Sequence, residues 1–169
     1  MLKKEAERIT GGLSKPGKMP EGSYKGRYNF PNVKAALARR LKSLDHPQWV
    51  GAMTVLVKGK KHFRWHDSGD LQSVQHLKNI FEVCNSTPGT SHWLPTQERK
   101  YLPLGSYPKN LVIRLSNAKN NTKPGTAWTH WSTVVDHGGD CPASKQGNQC
   151  GSCRRCWDPE VKHVTYPKH

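Results

Sequence analysis

Four cysteines, Cys141, Cys150, Cys153 and Cys156, follow the spacing Cys-x8-Cys-x2-Cys-x2-Cys. Thiols clustered within sixteen residues of a cytosolic chain point to metal, because reducing compartments do not sustain structural disulfides. Pro142, Gly147 and Gly151 between them permit the tight turns that close ligands round one centre. Zinc commonly takes two Cys-x2-Cys knuckles separated by a longer loop. The continuous Cys-x2-Cys-x2-Cys run is nearer to iron–sulfur ligation, so a 4Fe-4S cluster is favoured and zinc is the alternative. Arg154 and Arg155 stand between ligands, where they offset thiolate charge or serve as plain surface charge. Cys84, on an apolar helical face, reads as core.

A second group is His66-Asp67-Ser68-Gly69-Asp70. In an α/β sheet, ligands bind where strands run into the helices that follow. Placed there, His66, Asp67 and Asp70 are candidate catalytic residues that accept a proton, hold a hydroxyl or bind a cation. The competing reading makes Asp70 a helix N-cap and Ser68-Gly69 a turn. Thr96, and Arg114 with Ser116, fall at other strand ends and would line the same pocket. Trp65 and Trp93 read as core. Trp128 and Trp131 read as core or as partly exposed stacking surfaces.

The elements that must position these groups follow from patterning. Residues 1–31, broken by Gly11-Gly12, Pro16-Gly17, Pro20 and Gly22, read as an irregular basic arm. A helix starts near Pro31 with Val33, Leu37, Leu41 and Leu44 as its apolar stripe. Trp49–Val57 reads as a buried strand and His62–His66 as a second one. Val74, Leu77, Ile80, Phe81 and Cys84 mark the buried face of a further helix. Strands follow at Ser91–Thr96, Leu111–Ser116 and Ser132–Asp136, with His163–Tyr166 as an edge strand. This alternation predicts one small α/β domain with a partly parallel sheet. Its parts are the arm (1–31), an α/β core (32–136) and a cysteine-bearing metal lobe (137–169).

The 169 residues carry 27 Lys and Arg against 12 Asp and Glu, a net charge of +15. The first 61 hold 14 basic and 4 acidic side chains, ten of those fifteen charges. Such a field attracts polyanions, nucleic acid first among them, or else keeps a solvated surface soluble. Lys25, Arg27, Lys34, Arg39, Arg40 and Lys42 are the candidate phosphate contacts. Mean hydropathy is −0.81. No apolar run approaches the roughly 18 residues of a membrane span. Met1-Leu2-Lys3-Lys4-Glu5 has no apolar stretch behind it, so a secretory signal is not expected and the cytosol is.

Phe63–Leu71, His92–Thr96, Asn110–Ser116 and the block Cys141–Trp157 occur in this order in a known family. From about Gly11 to His169 the chain resembles the gene product 88 family of tailed phages and prophages. The resemblance implies a radical-SAM-like partial barrel, with His66, Asp67 and Asp70 near a cofactor and the four C-terminal cysteines on a cluster. The chain departs from the pattern in one place. Relatives carry a Cys-Tyr-Ala-type motif before the segment matching Lys25-Gly26-Arg27-Tyr28, whereas here Lys18-Met19-Pro20 runs almost directly into Gly22-Ser23-Tyr24. With no cysteine before Cys84, an N-terminal triad to hold an S-adenosylmethionine-cleaving cluster is lacking. The expected function is therefore a phage metalloprotein that binds nucleic acid or a host nucleic-acid-processing complex. The alternatives are a divergent radical-SAM-like or iron–sulfur enzyme using the strand-end acids, and a phage inhibitor of a host defence or transcription protein.

Overall fold

The computed structural model describes residues 1–13, 30–66, 69–103, 105–125 and 127–168. It divides into two compact units, 1–59 and 60–169, and the break lies within the stretch read from sequence as one α/β core.

The first unit is helical. Lys3–Thr10 (α1) overturns the reading of residues 1–31 as wholly irregular. The helix is short and ends at Gly11, whose φ of 75° supplies the left-handed C-cap that glycine favours. Pro31–Ser43 (α2) begins at Pro31, as its sequence predicts. Its apolar stripe is only partly covered, and Leu41 is 55% exposed. Trp49–Val57 (α3) is a helix and not the strand its β-branched residues suggest. A nine-residue apolar run fits either element by pattern alone. Packing decides here, since α3 lies against α1, and Ala52, Met53, Leu56 and Val57 are buried.

The second unit is an α/β curled half-barrel. Its strands are His62–Arg64 (β1), Ser91–Thr96 (β2), Leu111–Ser116 (β3), Trp131–Val135 (β4) and His163–Pro167 (β5). They lie in sequential order, and every pairing is parallel. Val74–Ser86 (α4) connects β1 to β2. Its N-cap is Ser73, whose hydroxyl accepts from the His76 N–H at 3.0 Å, and not Asp70. Leu77, Ile80, Val83 and Cys84 face the core, whereas Val74, assigned to that face by spacing, is 50% exposed. Asn110 Nδ2 seals the far end of α4 by donating to the carbonyls of Cys84, Thr87 and Thr90 at 2.9–3.1 Å.

Adjacent residues of a strand face opposite sides of its sheet. His92 lies 2.9 Å from the Thr87 hydroxyl at the end of α4, while Trp93 packs with Cys156. The end of α4 and the cysteine segment therefore occupy opposite faces. Register places Arg64, Trp93, Val112 and Arg114 on the cysteine side.

Candidate metal centre and strand-end site

The four cysteines lie in the connection between β4 and β5. That connection is fastened across the whole sheet. At one edge, Cys141 N–H donates to the Thr165 carbonyl at 3.0 Å. Asp140 accepts from the Thr165 N–H and hydroxyl at 2.7 and 2.8 Å, and from Arg155 at 2.7 Å. At the other edge, the Trp157 indole N–H donates to the Phe63 carbonyl at 3.0 Å. Left-handed residues at Gly147, Asn148 and Gly151, with φ of 61°, 61° and 53°, turn the intervening loop.

The thiols are electrostatic neighbours. Burial, then the charges of Cys141 and Cys153, raise the Cys150 pKa, against pulls from Arg154 and Arg64. Burial pushes the Cys156 thiol up to about 11, opposed by the Tyr166 hydroxyl and Arg114 and reinforced by Cys141 and Cys150. Among the described residues, no three Cys, His, Asp or Glu side chains form a ready-made metal-holding group. The arrangement is one of neighbouring thiols with sulfur donors suited to zinc or iron–sulfur, short of a closed ligand shell. Cys84 stands apart, fully buried, with its thiol pushed up to about 12 by desolvation.

Cys156 is the innermost of the four. It packs with Trp93 and Val164, and its Sγ lies 3.3 Å from the Tyr166 hydroxyl. Arg114, 0% exposed, turns beneath its backbone instead of lining a strand-end pocket. Its Nε donates to the Cys156 carbonyl at 3.0 Å, and Nη2 to the Arg155 and Asp158 carbonyls at 2.7 and 3.0 Å. Nη1 reaches the Lys162 carbonyl at 3.5 Å. The sequence signal for this role was a lone arginine within the apolar run Leu111–Leu115. Tyr166 and Asp140 carried no such signal beyond their nearness to the cysteines.

At the carboxyl ends of β1 and β2, Asp70 Oδ1 accepts from the Thr96 hydroxyl at 2.5 Å and from the Leu71 N–H at 2.7 Å. Its Oδ2 accepts from the Gln97 N–H at 2.7 Å. The carboxylate thus ties the loop to the end of β2. His66 has φ of 52°, uncommon for a residue with a Cβ. Its ring stands 5.3 Å from that of His76, which sequence spacing did not single out. Burial lowers the His66 pKa despite Asp70 and the Pro95 carbonyl, and lowers that of His76 to about 4. Asp67 lies outside the described residues.

Of the candidate phosphate contacts, Lys34, Arg39 and Lys42 are exposed on α2. Arg40 is half-buried, its Nε donating to the Gly12 carbonyl at 3.2 Å. Lys25 and Arg27 lie outside the described residues.

A parallel half-barrel carrying a cysteine-rich crossover on one face defines the class of protein. The family described as Gene product 88 matches residues 23–131, and the chain belongs to that phage family. The match ends at Trp131, before the four cysteines, so they lie outside the part that defines membership. No curated protein and no solved structure matches the chain. Among the described residues, no helix is long and apolar enough to cross a membrane.

Proposed function

We propose that the protein is a phage metalloprotein whose Cys141, Cys150, Cys153 and Cys156 hold one centre, iron–sulfur by preference and zinc otherwise. The observation that carries this reading is the gathering of four cysteines, Cys156 buried and the other three half-buried, in one segment fastened at both sheet edges. Bound metal would supply thiolate ligation that fixes this segment, and loading releases the thiol protons. The chain's own residues orient the loop through Asp140, Arg155 and Trp157, and place the cations Arg64, Arg114 and Arg154 beside the sulfurs.

Anaerobic purification tests the reading. Brown protein with iron and acid-labile sulfide, or colourless protein with about one zinc per chain, is the expected result, lost in Cys150→Ser/Cys153→Ser. Folded protein that takes up neither zinc nor iron with sulfide on reconstitution overturns it.

Nucleic acid is the proposed partner, supported by exposed Lys34, Arg39 and Lys42 on one helix and by ten of the fifteen net charges in residues 1–61. A host nucleic-acid-processing complex is the other partner class. Replacing the three α2 residues with alanine should weaken RNA or DNA binding across sequences and reduce the salt slope by about 2–3. Binding that does not weaken as salt rises rules out the phosphate-contact role.

A further inference from the structure

Arg114 poses a charge problem that its hydrogen bonds do not solve. The side chain is fully buried and donates to four backbone carbonyls. Carbonyls satisfy the N–H groups of a guanidinium but do not neutralise its charge. Among the described residues it makes no ion pair. Asp158 is within electrostatic reach, yet its carboxylate accepts from the Glu160 N–H at 2.9 Å on the exposed side. The Cys156 thiol, on the residue whose carbonyl Arg114 holds, is a buried group within electrostatic reach that can carry an opposite charge.

A small apolar core seldom retains an unpaired buried cation, because desolvating a charge is costly unless an anion or metal site answers it. Four thiolates on Zn(II) or on an oxidised 4Fe-4S cluster carry a net charge of about −2. That anion is what the buried guanidinium lacks. The Tyr166 hydroxyl, 3.3 Å from Cys156 Sγ, adds a hydrogen-bond donor for the same sulfur.

We infer that Arg114 is the built-in counter-charge of the cysteine centre and, with Tyr166, makes Cys156 its anchoring ligand. The inference rests on the metal reading above and adds what sets the affinity of that site. Arg114 is a positioning residue with two separable parts, a positive charge and a fork of donors that fixes the backbone either side of Cys156.

The test uses the full chain stripped with chelator and reloaded with zinc(II), its affinity read by competition with a chromophoric chelator. Melting temperature is followed in parallel. Arg114→Lys keeps the charge and loses the fork, while Arg114→Gln keeps donors and loses the charge. The charge role predicts zinc affinity within about threefold of native in Arg114→Lys and at least about tenfold weaker in Arg114→Gln. Tyr166→Phe should weaken zinc a fewfold with an unchanged melting temperature. Equal weakening in the lysine and glutamine variants overturns the inference in favour of a backbone role, as does native affinity in both. If the glutamine variant does not fold, Arg114→Lys decides alone, near-native affinity supporting the inference and a tenfold loss overturning it. A folded native chain that binds neither zinc nor iron defeats the metal reading itself, a result distinct from either outcome in the variants.

Discussion

Asp140 and Arg155, the residues immediately before the first and last of the four cysteines, form an ion pair at 2.7 Å. Because Asp140 also accepts twice from Thr165, the pair fastens both ends of the cysteine loop to β5. Burial would raise the Asp140 pKa, but the Thr165 N–H and hydroxyl and the Arg155 charge outweigh it and hold the carboxyl below its usual value. A carboxylate depressed in this way stabilises the fold above its unfolded pKa, about 3.9, and that contribution fades as pH falls through the lower folded value. Asp140→Ala should therefore speed hydrogen exchange at the Cys141 and Thr165 amides about fivefold or more at pH 7. Native exchange rates in that variant would show that the pair does not close the loop.

The buried histidines set the response to milder acid. His92 is 0% exposed, and desolvation lowers its pKa to about 4. The unfolded chain takes up its proton near pH 6.5 and the folded chain only near pH 4, so stability falls as pH drops between those values. The loss attributable to His92 is about 2.5 kcal/mol between pH 7 and pH 4.5. Urea unfolding of native and His92→Gln protein at the two pH values measures it. The glutamine variant is expected to lose less on acidification even if it starts less stable. An identical acid loss in both proteins would assign the effect elsewhere.

Asp70 and Thr96 bear on the enzyme alternative. Their hydrogen bond joins the loop after β1 to the end of β2. Thr96→Val and Asp70→Ala should each lower stability, with a coupling of about 1–2 kcal/mol in the double-mutant cycle. A coupling near zero would free Asp70 from this structural task. Any catalytic assignment to Asp70 then needs a loss of activity larger than the loss of folded protein accounts for.

The strands of the half-barrel were legible because each is a short β-branched or aromatic run between polar turns, as in Leu111–Ser116 and Ser91–Thr96. Trp49–Val57 is apolar on every side and so shows no period in sequence, although burial at Trp49, Ala52, Met53, Leu56 and Val57 follows helical spacing. The helix Lys3–Thr10 is only eight residues long and shows just Ala6 and Ile9 as apolar residues on its buried face, too short a pattern to stand out before Gly11-Gly12. At the candidate site, the thiols announced themselves through spacing. Arg114 did not, since its partners Cys156, Arg155, Asp158 and Lys162 lie more than 40 residues away along the chain. Asp70 was legible as a structural carboxylate but assigned to the wrong partner. Its bonds run to β2, while Ser73 caps the helix.

Gly138 and Gly139 lead into the cysteine loop, and both have positive φ, 74° and 102°. Their surroundings differ. A Cβ on Gly138 meets nothing within 4 Å, whereas one on Gly139 would stand 2.9 Å from the Pro167 backbone nitrogen and 3.0 Å from its Cδ. That contact involves backbone at the end of β5, which cannot swing aside as a side-chain tip can. Gly138→Ala should thus cost only the left-handed penalty, about 1 kcal/mol. Gly139→Ala adds a collision and should cost about 2–3 kcal/mol, while loosening the β5 edge where Asp140 and Cys141 attach. Chemical denaturation ranks the two variants. If they lose stability equally, the close approach of the loop to β5 does not hold the cysteine segment, and its position depends on Asp140, Arg155 and Trp157.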